Sequence, residues 1–485
     1  MRFNMRQRFW LFCILFLTVN GHLSSQTVYD RINDEFVNNA QGYKLLEKIT
    51  KDIGHRHTGS ENGAKAEEYC FNYFQNIGLD SVFYDEFIFD GWQRGELSLK
   101  ISNGVDTVNV VGHSYANVCE FADVNARIID MGNGLEKDFL NDTNAIKGNI
   151  VLLNYGAYSL DKDLKNLDIR YKALLALKYG AVGVIFIDER KNGTIYTGRI
   201  APRNSILPIP AIAVSIGDGL MIRQLIKQND TLKGILKMTN KIDKFKARNV
   251  IGVLKGSDYP DEYILIGGHL DSWDLATGAM DNGIGAATIL DMARGMKRLN
   301  IKPKRSIMFV EYMGEEVGLL GSSNLVKRFS DAGMLDNLKC VLNLDISGDL
   351  KGWNVFSDTL SSFVDSVGAL FLKYDNDSTY KNINDIYIGC ASDHQPFFVE
   401  GIHSIRPNRI FENWGNCYHA DCDLFYWVRE QAMINSAKYT SMMIYALANI
   451  DKFPSRMPSE TTRDLILKIN IKQHLKSWGH WKWED

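Results

Sequence analysis

The chain has 485 residues, too many for one ordinary core, which points to two or three domains. Hydrophobic residues make up 45% and charged residues 23%, the balance of a soluble globular protein. A net charge of −3 gives no electrostatic basis for nucleic acid or an anionic membrane as partner.

Arg2, Arg6 and Arg8 precede an uninterrupted apolar run from Phe9 to Leu17, and Asn20-Gly21-His22-Leu23-Ser24-Ser25 follows. This is the order of a secretory signal peptide, placed at 1–25, and the run is too short to span a bilayer comfortably. The expected location is therefore periplasmic or extracellular, with no membrane association once the signal is removed. Seven cysteines occur, and Cys13 lies in the signal. The other six show no C-x-x-C pairing, and Cys417 and Cys422 are close enough in sequence to bridge if the geometry allows.

Residues 26–100 read as two helical stretches, then a strand. Asp30 to Ile53 has helical apolar spacing, His55-Arg56-His57-Thr58-Gly59-Ser60 breaks it, and Glu61 to Ile77 resumes it before Gly78. His55 and His57 are expected to be loop residues rather than ligands. Residues 101–245 change character: Ile128–Gly132, Ile150–Asn154, Val182–Ile187 and Pro208–Val214 read as strands, and Lys172–Ala181 and Gly217–Ile226 as helices. With no metal-type cluster of its own, this segment is expected to be an inserted domain that caps or shapes a cleft or binds partners.

From 246 to 455 strands and helices alternate, which predicts an α/β fold with a mostly parallel sheet covered by helices on both faces. Tyr263-Ile264-Leu265-Ile266 is a short apolar run that leads into Gly267-Gly268-His269-Leu270-Asp271, and Asp281-Asn282-Gly283 stands just before a helix former at 285–293. Ser306–Val310 leads to Gly314-Glu315-Glu316, Val341–Leu344 leads to Asp345, and Tyr418-His419 and Asp423 follow. Ligands in such sheets bind at the carboxyl ends of the strands. A tail, 456–485, carries Trp478, Trp481 and Trp483, which are expected to pack on the domain.

Two His and several carboxylates at neighbouring strand ends suit divalent cations bound by N and O. Two metals need a bridging carboxylate, and Asp281 is the natural choice. His269 and Asp345 then serve one metal, and Glu316 and His419 the other. Asp271 is placed to accept the second imidazole N–H of His269. Glu315, left over beside the cage, is the expected general base. Arg406 or Arg409 is a candidate cation for a substrate's terminal carboxylate.

These stretches resemble the co-catalytic zinc exopeptidases (metallopeptidase clan MH), the family of the zinc aminopeptidases, glutamate carboxypeptidase and carboxypeptidase Q. The matching residues are Gly268–Ser272, Gly278–Gly283, Gly314–Glu316, Asn343–Asp345, Ser392–Phe397, and Tyr418-His419 with Asp423, and the likeness covers about 30–450. It implies a zinc-peptidase fold, a protease-associated insert, two Zn²⁺ per chain on the residues just named, and a cis peptide at Asp281–Asn282. Asn282 replaces the second Asp of many members. The implied enzyme is an exported hydrolase cutting terminal peptide bonds of short peptides, as an aminopeptidase or dipeptidase. A carboxypeptidase is the alternative, and a one-zinc glutaminyl cyclase or a non-catalytic binding module fits the full ligand set less well. Peptide is the expected partner, and a homodimer is left open.

Overall fold

In a computed structural model the chain is described over residues 27–141, 143–156, 168–203, 205–410 and 413–484. The segment 1–25, read above as a signal peptide, lies outside the described residues. Among those described, no helix is long and apolar enough to cross a membrane.

The strands are β1 (Ser81–Ser102), β2 (Thr107–Val110), β3 (Gly112–Ser114), β4 (Phe121–Asp130), β5 (Ile150–Asn154), β6 (Gly183–Ile187), β7 (Ala211–Val214), β8 (Lys233–Leu254), β9 (Tyr259–His269), β10 (Arg305–Tyr312), β11 (Leu338–Asn343), β12 (Leu350–Val355), β13 (Asp385–Ile386) and β14 (His403–Arg409). They run side by side as β13-β12-β14-β11-β9-β10-β8-β4-β5-β6-β7-β3. β10, β9, β11 and β14 are mutually parallel, whereas β8 and β12 flank them antiparallel. The mixed, mostly parallel α/β class expected from the alternation is what the chain forms.

The apolar runs of the central strands explain the layering. Side chains alternate between the two faces of a strand. Ile264, Ile266, Ile307 and Phe309 point to one face, where they meet the helices Ile284–Arg298 and Glu430–Ala448. Leu265, Met308 and Val310 point to the other, against Leu325 and Val326 of the helix Leu320–Asp331 and Phe397 of the helix His394–Val399. Strands buried on both faces carry no polar alternation, which is why they read as continuous hydrophobic runs.

β1 and β8 form a long antiparallel ribbon with one register shift between Arg94 and Leu97. At its far end β4 pairs with β8, and the parallel set β4-β5-β6-β7 follows. This second lobe has its own apolar cluster, built from Val151, Leu153, Val184, Phe186, Ile212 and their neighbours. Trp273, from the loop after β9, joins that cluster and so ties the strand-end loops to the second lobe. In the tail, Trp481 and Trp483 pack against Phe356, Phe398 and Met457.

Candidate metal centre

His269 is the last residue of β9, Glu315 and Glu316 follow β10, and Asp345 follows β11. Three adjacent parallel strands therefore deliver their functional residues to one rim. The close approach has a local cause at Gly268, where an added Cβ would lie 2.4 Å from the Leu344 carbonyl oxygen. Gly314, at φ 83°, turns the chain so that Glu315 and Glu316 face the rim.

The five predicted ligands converge. His269 Nε2 lies 3.2 Å from Asp281 Oδ1 and 3.5 Å from Asp345 Oδ1. His419 Nε2 lies 3.1 Å from Asp281 Oδ2 and 3.2 Å from Glu316 Oε2. Asp281 thus turns one carboxylate oxygen to each imidazole, and the other two carboxylates divide one to each side. His269, Asp281 and Glu316 are buried, and Glu316 Oε1 has no hydrogen-bond partner among the described residues. The electrostatics match that geometry. Burial works against charge on His419, yet Glu316 and Asp281 push its pKa up to about 10. Burial pushes Glu316 up to about 7. Carboxylates concentrated in this way create a negative field that divalent cations would neutralise, and the N/O donor set suits zinc.

Glu315 is buried beside this cage and lines a cavity of about 450 Å³ with Glu316, His419 and Trp273. Burial, and then the Glu316 and Asp345 carboxylates, raise Glu315 well above the usual carboxylate range against the pull of His269.

Asp271 differs from expectation. Its carbonyl oxygen, at 3.0 Å, is the partner of His269 Nδ1, and its carboxylate stands 3.7 Å away. The carboxylate is instead engaged by the backbone N–H of Glu315 (3.2 Å), that of Glu316 (3.3 Å) and the Thr58 hydroxyl (2.8 Å). It anchors the Glu-Glu turn, because those two N–H groups leave the end of β10 with no ladder partner.

Of the groups that position the ligands, Arg56 and Tyr196 escape the sequence reading, whereas Asp423, the cis peptide and the Cys417–Cys422 pair are singled out in it. The buried Arg56 guanidinium donates to the carbonyls of Leu270 (2.6 Å), Thr277 (2.6 Å) and Gly278 (2.8 Å), clamping both ligand loops. The Asp423 carboxylate accepts from the N–H of Met280 (2.9 Å) and Asp281 (3.0 Å). The peptide between Asp281 and Asn282 is cis. His419 sits at φ 52° in a loop closed by the Cys417–Cys422 disulfide. Its Nδ1 lies 3.3 Å from the Tyr196 hydroxyl, and its carbonyl accepts from Thr197 N–H at 2.8 Å. The second lobe therefore orients this imidazole, a contact that no local spacing announces. Arg409 donates to the Asp345 carbonyl and Arg406 stacks 5.0 Å over Tyr387. The arginines that line the cavity are Arg170 and Arg199, both from the second lobe.

A parallel-centred α/β sheet with imidazoles and carboxylates gathered at its strand ends defines a divalent-metal protein of the hydrolase type. Residues 249–444 match the sequence model of Peptidase family M28. Carboxypeptidase Q of Xenopus laevis is 27% identical over 314 residues, covering 63% of this chain and 65% of that protein. The match thus spans just under two thirds of that relative's length. Aminopeptidase YwaD of Bacillus subtilis (strain 168) is 24% identical over 429 residues, covering 86% of this chain and 87% of that one. Among solved structures, a peptidase M28 precursor from Shewanella amazonensis SB2B superposes with a TM-score of 0.77 at 22% identity, covering 89% of this chain and 99% of that one. The zinc aminopeptidase BSAP from Bacillus subtilis gives 0.68 at 22% identity, with coverages of 85% and 95%. The two structures share the fold of this chain.

Proposed function

We propose that this chain is an exported di-zinc exopeptidase that hydrolyses terminal peptide bonds of short peptides, as an aminopeptidase or dipeptidase. The observation that carries the reading is the sharing of Asp281 between His269 and His419, at 3.2 and 3.1 Å, with Asp345 and Glu316 completing the two sides. His269, Asp281 and Asp345 would hold one Zn²⁺, and Asp281, Glu316 and His419 the other. When bound, the pair supplies positive charge that polarises a peptide carbonyl and acidifies water. Glu315 takes the proton of the attacking water and delivers it to the leaving amine as the C–N bond breaks. Asp271 holds the Glu315–Glu316 turn in register, and Tyr196 holds the imidazole of His419. Residues 101–245 act as a protease-associated insert that walls the cleft, since Tyr196 and Arg199 both line it.

Export rests on the N-terminal pattern, and a disulfide at Cys417–Cys422 suits an oxidising compartment. The N-terminal sequence of the mature protein checks this, with a start near residue 26 expected.

The deciding experiment measures amino-acid release from one dipeptide supplied free, N-acetylated or C-amidated, with and without chelator, beside metal content per chain. Two zinc ions and chelator-sensitive cleavage of free and amidated forms mean an aminopeptidase. Cleavage of the free form alone means a dipeptidase. Cleavage of the acetylated form, lost on amidation, means a carboxypeptidase. One zinc ion, or no cleavage of any form, removes the di-zinc peptidase reading.

A further inference from the structure

The cavity lined by Glu315 and Glu316 is lined as well by Asp168, Arg170 and Arg199 of the second lobe. Arg199 has a fixed backbone, with Gly198 and Ile200 hydrogen-bonded to Ala116 on either side of it. Its Nη1 donates to the Val317 carbonyl at 2.9 Å, just past the Glu-Glu turn. Its guanidinium lies 5.2 Å over the ring of Trp478, so the tail props it from behind. Nη2 is buried and has no hydrogen-bond partner among the described residues. The neighbouring Arg170 differs, since its guanidinium is engaged by Asp168. Arg203 donates to the Trp478 carbonyl at 3.1 Å and holds the tail in place. Of Arg170 and Arg199, which line the same cavity as the proposed base, Arg199 is the one with a buried donor that lacks a partner among the described residues.

A buried donor without a partner is costly, and a guanidinium recognises carboxylates through its planar fork. We infer that Arg199 is a specificity residue that binds a carboxylate of the peptide substrate, either its free C-terminus or an acidic side chain. Arg406 and Arg409 are not among the residues that line this cavity. The inference rests on the peptidase reading only in taking the ligand to be a peptide.

The test compares Ala-Leu, Ala-Leu-amide and Ala-Glu-amide as substrates of the wild type and of Arg199→Met. The expected result is a kcat/KM advantage of about 100-fold for a carboxylate-bearing peptide over neutral Ala-Leu-amide, collapsing toward one in the variant. Preference for Ala-Leu assigns the terminal carboxylate, and preference for Ala-Glu-amide assigns the side chain. Equal rates on all three in the wild type, or a preference retained in Arg199→Met, overturn the proposal. Calorimetric titration of the same proteins with N-acetyl-leucine and its amide keeps the two readings apart. If no peptide is cleaved, binding of the acid over the amide that disappears in Arg199→Met upholds the subsite although the peptidase reading has failed. Arg199→Lys, which keeps the charge and loses the fork, is expected to show an intermediate preference. Should Arg199→Met not fold, the wild-type titration decides, and equal binding of acid and amide overturns the proposal.

Discussion

At Asn282 a neutral amide does what a carboxylate cannot. Its Nδ2 donates to the carbonyls of Leu344 (2.7 Å) and His269 (3.2 Å), while its Oδ1 accepts from the N–H of Ile346 (2.8 Å) and Gly285 (3.2 Å). The departure from the second Asp of related sequences is thus accommodated by using both ends of the side chain. It also helps hold Ile346 at φ 50°, a left-handed conformation that costs a β-branched residue about 1–3 kcal/mol. Asn282→Asp would set a carboxylate against two carbonyl oxygens. A loss of roughly 2–4 kcal/mol in stability is expected, read by denaturant unfolding, and an unchanged midpoint would contradict this account. Glu315 makes a different prediction because it lies outside the ligand set. Glu315→Ala should keep the metal content of the wild type while turnover falls about 10²–10⁴-fold. Full turnover at normal metal content would remove Glu315 from the role of base.

At the scale of elements, the ribbon of β1 and β8 matters because Arg94 on β1 knots three pieces together. Its guanidinium reaches the Asp274 carboxylate at 2.7 and 3.0 Å and the Thr197 hydroxyl at 2.7 Å, joining the loop after β9 to the second lobe. Thr197 in turn holds the His419 carbonyl. Burial alone would raise Asp274, but Arg94 holds it down at about 2, below the ordinary value of 3.8. A depressed carboxylate stabilises the fold above its unfolded pKa, and that stability is lost as pH falls through the folded one. The knot should therefore be intact above about pH 4 and weaken between about pH 4 and 2, by roughly 2 kcal/mol. Comparing unfolding of the wild type and Asp274→Asn across this window checks it. The variant should show the shallower acid dependence, and identical slopes would mean that the pair is not linked to folding.

For the whole molecule, the cage couples folding to metal. Carboxylates and imidazoles from β9, β10, β11 and the loop after β14 are held together in the folded state and dispersed in the unfolded chain. Any cation that binds only the folded arrangement raises its stability, by about 4 kcal/mol at a thousandfold excess over Kd. Chelation should lower the melting temperature by several degrees, and added Zn²⁺ should restore it. A melting temperature indifferent to chelator would argue against a site assembled in the native fold.

The α/β class and the strand-end cluster were legible because strands buried on both faces write their apolar character directly into consecutive residues. Ile264-Leu265-Ile266 cannot be hidden by composition, and a His or carboxylate just past such a run has few places to go. The ribbon was less legible. β8 carries Lys233, Lys237, Lys241, Lys244 and Lys246, and its exposed positions dilute the alternation, so that only its end at 249–254 reads as a strand. The sequence by itself determined which residues could form the cage and which strand ends would carry them. Only the tertiary structure decided that Asp271 anchors the Glu-Glu turn, that Arg56 clamps the ligand loops, and that Tyr196 and Arg199 reach the site from the second lobe. Those contacts join residues scores to hundreds of positions apart, and no local period or propensity encodes a meeting made by packing.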